Sequence, residues 1–156
     1  MAINWEMFGD MSAIEKEVAD VSAGNVERKE VPYGDYEVRV TKCEVEECPF
    51  EGDYQGKPQL AVWFKIINHE ELAGQLLFVT KRLWSAKGTR ATAFMIRNAI
   101  QLLDSLESGV EVKFDDKFEE SVKAVFDAVG DGKAEYQLAY HENDRGYKEY
   151  DVVQKF

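Results

Sequence analysis

Three segments in the first half of the chain alternate apolar and polar side chains with the period of two that is typical of β-strands. In the first, VPYGDYEVRVTKCEVEE, one face holds Tyr36, Val38 and Val40, and the opposite parity then holds Cys43 and Val45. An extra residue inside a strand reverses its faces, so this change of parity predicts a β-bulge or sharp bend. Cys43 is then a half-buried strand residue and not a metal ligand.

The segments QLAVWFKIIN and QLLFVTKRLW predict the second and third strands, each with one apolar and one mixed face. The apolar faces consist of Leu60, Val62, Phe64 and Ile66 in the second strand and Leu77, Val79 and Leu83 in the third. The opposite faces consist of Ala61, Trp63, Lys65 and Ile67 in the second strand and Phe78, Thr80, Arg82 and Trp84 in the third. If the apolar faces are buried, a strip of aromatic and basic side chains is exposed.

Elsewhere the apolar residues follow the helical period of 3.6. A heptad-like spacing predicts an N-terminal helix over residues 7–21. A longer helix is predicted from about Thr89 to Leu106, with Thr89 as its N-cap and Gly109 just beyond its end. A shorter helix is predicted over about residues 116–129.

The C-terminal segment KAEYQLAYHENDRGYKEYDVVQKF predicts a β-hairpin, because two alternating runs flank the turn sequence ENDRG. Three strands, a helical insertion and two strands is the element order of an OB-fold, a five-stranded Greek-key barrel. We therefore predict a mainly β, five-stranded OB-fold-like barrel with a helix between strands 3 and 4, an N-terminal helix and an extra short helix. Residues 1–156 are then one OB-fold-like domain, in which 1–30 form an N-terminal helical extension and 31–156 form the barrel with its helical insertion.

The formal net charge of -11 is spread unevenly along the chain. Residues 1–53 hold 14 acidic and 5 basic residues, a net charge of -9. Residues 54–97 hold 2 acidic and 7 basic residues, a net charge of +5. Residues 98–156 hold 14 acidic and 7 basic residues, a net charge of -7. Such blocks are often only solvated faces. The alternative is one basic surface, formed by the middle third, on an otherwise acidic body.

Residues that could support catalysis or metal binding do not form a recognisable motif. His69 and His141 lie in or beside separate turns, and Cys43 and Cys48 lack a second Cys or His pair. The sequence contains no G-x-S-x-G, no P-loop and no G-x-G-x-x-G. We therefore expect no enzymatic activity, no metal site and no cofactor.

The gross sequence also bears on location. No apolar run approaches the length of about 20 residues that spans a bilayer, so we expect no membrane association. The N-terminus MAINWEMFGD lacks the basic and apolar regions of a secretory signal. We therefore expect an intracellular protein with reduced thiols.

The remaining chemistry is aromatic and basic. Proteins that bind single-stranded nucleic acid use cations that track the backbone and rings on which bases stack. In an OB-fold, the face of strands 2 and 3 and the loops joining strands 1–2 and 4–5 provide that surface. The corresponding candidate DNA-binding residues are Phe50, Tyr54 and Lys57 in the first loop, Trp63 and Lys65 on strand 2, Phe78, Lys81, Arg82 and Trp84 on strand 3, Lys87 and Arg90 towards the helix, and Arg145 and Tyr147 at the strand 4–5 turn.

The segments VPYGDYEVRVTKCEVEE, LAVWFKIIN and GQLLFVTKRLW, with a helix beginning near GTRATAFMIRNAIQLL, resemble the small OB-fold single-stranded-DNA-binding proteins encoded by bacteriophages and prophages. The resemblance covers roughly residues 31–106. It implies sequence-independent, non-catalytic binding of single-stranded DNA in phage DNA replication or recombination, in the cytoplasm of the bacterial host. It also implies replication or recombination proteins as partners and leaves homo-oligomerisation open. Bacterial relatives end in a disordered acidic tail with an apolar tip, whereas this chain ends in EYDVVQKF.

Two other functions remain open from the sequence. The aromatic patch could be a protein interface of a phage interaction or assembly module, because Trp, Tyr and Arg are preferred in interface hot spots. The acidic surface could instead mimic DNA. The DNA-binding prediction requires that Leu77 and Val79 be buried, since only then does the aromatic and basic strip face solvent.

Overall fold

The computed structural model describes Glu15 and residues 30–156. The chain divides into two units, Met1–Val31 and Pro32–Phe156, and the elements below belong to the second. They are, in chain order, β1 (Gly34–Glu47), β2 (Pro58–Ile66), β3 (Leu76–Arg82), α1 (Thr89–Ser105), α2 (Phe118–Val129), β4 (Tyr136–Glu142) and β5 (Lys148–Lys155). The predicted N-terminal helix lies outside the described residues, apart from Glu15.

The five strands form one open antiparallel sheet in the order β3-β2-β1-β4-β5. The prediction of a mainly β fold with five strands, and with two helices between the third and the fourth, is confirmed. Closure of this sheet into an OB-fold barrel stays a prediction. In the described part of the chain, β3 and β5 are the edge strands, and α1 contacts both of them.

The central strand, β1, pairs with different partners along its length. Its beginning, from Gly34 to Val38, pairs with β4, and the stretch from Val38 to Glu47 pairs with β2. The register shifts between Val40 and Lys42, where the sequence predicts a bulge. Val40 and Cys43, which have opposite parity, are consequently both buried. The predicted change of faces is confirmed, and it turns Lys42 to the outer face of the sheet.

The apolar parity of β2 and β3 faces the core. Leu60 and Phe64 are fully buried, and Leu77 and Val79 are 4% and 2% exposed. Because side chains alternate across a strand, the opposite parity of β3 faces outwards, and Phe78 is 36% exposed. Leu77 and Val79 are therefore buried, as the DNA-binding prediction requires, and the aromatic and basic parity of β3 faces solvent.

The β4–β5 hairpin closes through the turn that the sequence predicts. The backbone N–H of Asn143 donates to the carbonyl of Tyr147 at 2.9 Å. The Asn143 side-chain oxygen accepts from the backbone N–H groups of Arg145 and Tyr147 at 2.9 and 3.0 Å. Gly146 has a φ of 82°, a left-handed conformation that favours glycine.

The start of α1 differs from the prediction by one residue. Gly88, not Thr89, is the N-cap, and no side chain caps the helix. Gly88 has a φ of 118°, which glycine adopts far more readily than threonine, so Thr89 becomes the first helical residue. At the other end of α1, the hydroxyl of buried Tyr136 donates to the carbonyl of Leu106 at 2.6 Å and ties the helix to β4.

No helix in the described part is long and apolar enough to cross a lipid bilayer.

Candidate functional site

The outer face of β1, β2 and β3 carries an aromatic and basic cluster, the sheet group, formed by Lys42, Trp63 and Phe78. Strand register places these three side chains in one row across the sheet. The rings of Trp63 and Phe78 meet edge to face with centroids 4.9 Å apart. Lys42 Nζ lies 4.2 Å from the centroid of the Trp63 ring, within the range of a cation–π interaction.

The charge of Lys42 is compensated by its own strand. Its Nζ lies 3.1 Å from Glu44 Oε1 and 3.1 Å from Glu46 Oε2. Burial lowers the pKa of Lys42, but hydrogen bonds to the two carboxylates outweigh this effect and raise that pKa overall. Glu46 also accepts a hydrogen bond of 2.9 Å from Gln59. Lys42 and its two carboxylates therefore carry a net charge of -1, so the β1 side of this face offers no free cation to a phosphate.

A second cluster, the loop group, lies where the β1–β2 loop meets the end of β3, and it consists of Tyr54, Lys57, Arg82 and Trp84. The rings of Tyr54 and Trp84 meet edge to face with centroids 6.1 Å apart. Lys57 Nζ lies 4.4 Å from the centroid of the Trp84 ring, and Arg82 Cζ lies 3.8 Å from that of Tyr54. Each ring of the loop group thus has a cation over one of its faces.

Backbone hydrogen bonds hold the β1–β2 loop that carries Tyr54 and Lys57. The N–H of Cys48 donates to the carbonyl of Lys57, and the N–H of Gly56 donates to the carbonyl of Cys48, both at 2.9 Å. Lys57 N–H donates in turn to the carbonyl of Tyr54 at 2.9 Å. These bonds continue the β1–β2 ladder into the loop, so the aromatic and basic side chains project from a defined backbone.

The exit of β3 is fixed by the first turn of α1. Ser85, which is 3% exposed, donates its backbone N–H to Thr92 Oγ1 at 3.0 Å. The Thr92 hydroxyl donates back to the Ser85 carbonyl at 3.3 Å, and Ser85 Oγ accepts from the backbone N–H of Lys87 at 3.2 Å. Trp84 therefore sits directly before an anchored residue.

The loop group borders a groove of about 580 Å³ between the β1–β2 loop, β3 and α1. Its lining residues are Cys48, Phe50, Glu51, Gly52, Asp53, Tyr54, Gln59, Thr80, Lys81, Arg82, Met95 and Asn98. The loop side holds the carboxylates Glu51 and Asp53, whereas the β3 side holds Lys81 and Arg82. A polyanion in the groove would therefore place its phosphates on the β3 side. Phe50 is 74% exposed at the loop side.

Several cations of this surface have no acidic partner. Among the ion pairs of the described residues, which include Lys42 with its two glutamates and Arg39 with Glu135, none involves Lys57, Lys65, Lys81 or Arg82. The positive charge of residues 54–97 is consequently not neutralised within the described part of the chain, and it is available to an anionic ligand.

Not all the predicted residues lie together. Arg145 and Tyr147 are exposed in the β4–β5 turn, which adjoins the Gly34 end of β1, whereas the β1–β2 loop follows its Glu47 end. Lys65 lies on the outer face of β2 beyond the sheet group. Lys87 and Arg90 are exposed near the start of α1. The sheet group, the loop group and the groove thus account for the other predicted residues.

The sequence-based prediction did not include every residue of this surface, and Lys42, Met95 and Asn98 are three that it missed. Lys42 contacts Trp63 because the β1 bulge turns it outwards, and the change of parity in the sequence was the signal for this. Met95 and Asn98 form the α1 wall of the groove. No sequence pattern indicates that Met95 and Asn98 line the groove, because tertiary packing determines how α1 lies beside β3.

One group of metal-ligand type exists within the described residues. Donor atoms of His141, Glu149 and Asp151 lie within 4.8 Å of one another. Sequence spacing does not reveal them, because the β4–β5 register brings them together. A hydrogen bond to Asp151, with a His141 Nε2 to Oδ2 distance of 2.6 Å, raises the pKa of His141. Attraction between an imidazolium and two carboxylates accounts for their proximity without an ion.

The two cysteines are expected to differ in reactivity. Cys43 is 4% exposed, and burial, with a smaller effect of Glu44, raises its pKa to about 12. Thiolate is the reactive form, so a disulfide reagent at a pH of about 8 should modify Cys48 in the folded protein and Cys43 only after denaturation. Thiol counting with and without denaturant measures this, and Cys48→Ser should remove the native-state reaction. Equal rates at both cysteines would contradict the buried position of Cys43.

No protein-family model matches this sequence, and no curated protein matches it. The resemblance to phage single-stranded-DNA-binding proteins therefore rests on the segments quoted above, and the functional inference rests on the geometry of the surface.

Proposed function

We propose that this protein binds single-stranded DNA without sequence preference and without catalysis. The observation that carries the proposal is the surface on which the rings of the sheet group lie beside the loop group, whose cations Lys57 and Arg82 contact its own rings and have no acidic partner among the described residues. Rings that stack on any base, together with cations that follow the phosphates, are the two requirements of sequence-independent single-strand binding.

Binding would exchange the partners of the rings. In the free protein, Lys57 covers the ring of Trp84 and Arg82 covers that of Tyr54. An exposed cation–π contact is worth about 0.5–1 kcal/mol, whereas a stacked base contributes about 1–3 kcal/mol. A base would therefore displace the cation from the ring face, and the released cation would bind the adjacent phosphate. Lys57 and Arg82 would thus cover a ring in the free protein and bind a phosphate in the DNA complex.

We further propose that the sheet is that of a partly open OB-fold barrel. An OB-fold binds its ligands on the face of strands 2 and 3 and on the adjoining loops. In this chain the rings of the sheet group lie on β2 and β3, and the loop group lies in the β1–β2 loop and at the end of β3. The contacts of α1 with both edge strands support a barrel in which a helix fills the gap between β3 and β5.

The proposed setting is phage DNA replication or recombination in the cytoplasm of a bacterial host. Support for this setting comes from the resemblance described above. Replication or recombination proteins would be further partners, and the strongly acidic remainder of the chain would keep phosphates off every surface but the basic one.

The test is a titration of fluorescently labelled oligothymidylate, followed by anisotropy, at about 50 and about 200 mM salt. On a single strand, each phosphate contact contributes about -0.7 to the slope of the logarithm of the binding constant against the logarithm of the salt concentration. Three such contacts should therefore give a slope of about -2. Arg82→Gln should reduce the magnitude of the slope by about 0.7, and Lys123→Gln, on the exposed side of α2, should leave it unchanged. Absence of binding at low salt would refute the proposal.

A protein interface is the second candidate function. It is favoured by Phe50, which is 74% exposed beside a groove containing Tyr and Arg, the residues preferred in interface hot spots. Under this alternative the oligonucleotide would not bind at either salt concentration.

A further inference from the structure

We propose that α1 provides an additional nucleotide subsite, in which Phe94 stacks on a base while Arg90 and Arg97 bind the flanking phosphates. The inference rests on the proposed function and extends it, because it assigns a path to the strand beyond the groove. Phe94 and Arg97 were not among the residues selected from the sequence.

The three side chains form one cluster on the surface of α1. Residues three and four apart on a helix are neighbours, so Arg90, Phe94 and Arg97 share a face. Arg90 Cζ lies 5.5 Å and Arg97 Cζ 5.0 Å from the centroid of the Phe94 ring. With Ala93 they line a shallow hollow of about 260 Å³. Phe94 is 44% exposed, so the helix holds a large ring in solvent between two guanidinium groups.

The charge of this cluster points to an anionic ligand. None of the ion pairs among the described residues involves Arg90 or Arg97, and the first turn of α1 contains no acidic residue. Two unneutralised guanidinium groups are notable in a chain of net charge -11. Guanidinium groups bind phosphate oxygens in a bidentate manner, and aromatic rings stack on bases. A nucleotide offers both partners at once.

Continuity with the groove identifies the occupant as the same single strand. Met95 and Asn98 form the α1 wall of the groove, and Asn98 lies one helical turn from Phe94. Neighbouring side chains on a helix are about 5–6 Å apart at Cβ, so a strand that leaves the groove past Asn98 next meets the Phe94 ring. The carboxylates of Glu51 and Asp53 on the loop side of the groove would keep its phosphates on the side formed by β3 and α1.

The experiment compares oligothymidylates of about 5 and about 15 nucleotides, which lie near the lower and upper ends of the usual range of OB-fold site sizes. Phe94→Ala should weaken binding of the longer oligonucleotide about tenfold, which is within the range for one lost stack, and should leave binding of the shorter one unchanged. Arg97→Gln should lower the salt slope for the longer oligonucleotide alone, by about 0.7. The matched control is Phe114→Ala, which removes another exposed phenylalanine, located before α2.

The outcomes separate this inference from the proposed function. If the wild-type protein binds both oligonucleotides and neither α1 variant changes the binding of the longer one, the α1 subsite is refuted and the groove remains. If Phe94→Ala weakens both lengths equally while its thermal unfolding stays that of the wild type, a separate subsite is also refuted. If the wild type binds neither oligonucleotide, the proposed function itself fails. Selective weakening of the longer oligonucleotide by both variants supports the subsite.

Discussion

Replacing Trp84 with alanine is expected to weaken single-stranded-DNA binding by about 5- to 150-fold, which corresponds to the loss of about 1–3 kcal/mol for one stacked base. Trp84 is the ring that Lys57 covers and that Tyr54 meets edge to face. The substitution therefore removes a stacking surface and also loosens the support of two neighbouring side chains. Anisotropy titration with labelled oligothymidylate measures the change in affinity.

Tryptophan fluorescence gives an independent measure of the same contact. The chain has three tryptophans, and a base stacked on Trp84 would quench part of their emission. Trp84→Ala should therefore reduce the quenching at saturation as well as the affinity. Phe114→Ala, which removes an exposed ring outside both aromatic and basic groups, should change neither quantity. Wild-type affinity in Trp84→Ala would exclude the loop group as a stacking surface.

Leu60→Ala is expected to lower the free energy of unfolding by about 2–5 kcal/mol, the usual cost of removing a buried leucine side chain. Leu60 has no exposed surface and pairs with Val45 of β1 and Lys81 of β3, so a cavity there lies in the middle of the sheet. Because small domains are stable by only about 5–15 kcal/mol, this is a large fraction of the total. Urea unfolding at constant m-value measures it.

The matched substitution is Leu76→Ala on β3, an edge strand of the described sheet. Leu76 is only half-buried. We therefore expect Leu76→Ala to lower the free energy of unfolding by about 1 kcal/mol, the typical effect of a point mutation. Equal losses in the two variants would mean that the apolar parity of β2 does not form the core. The DNA-binding proposal would then lose its structural basis, because the aromatic and basic parity would no longer be the solvent-facing one.

Much of the sheet follows from local patterns. The period of two in β2 and β3 placed Leu77 and Val79 on one face, and the structure shows that this face is the buried one. The change of parity in β1 correctly located the bulge near Val40. Both predictions concern neighbours along the chain, where alternation fixes which side of the sheet a residue faces. The N-cap of α1 was misplaced at Thr89, because the φ of Gly88 is not visible in a pattern of apolar residues.

The partners of each ring could not be predicted in the same way. Lys42 reaches Trp63, and Lys57 reaches Trp84, through strand register and loop closure, which a single strand does not reveal. The contribution of α1 to the groove depends likewise on how the helix packs beside β3. The sequence therefore selected the residue types of the candidate surface, and tertiary contacts determined which of them act together.

The two-partner pairing of β1 has a consequence for the order of folding. The β1–β2 contacts near Glu47 and Pro58 join residues close in sequence, whereas Val38 pairs with Tyr136 across most of the domain. Since long loops cost more entropy to close and non-local contacts slow folding, the β1–β2–β3 meander should assemble before β4 docks. The sheet group and the loop group both lie on that meander. Val38, where β1 changes from β4 to β2 as its partner, thus separates the part of the sheet expected to form first, which carries the candidate surface, from the strands that complete the core later.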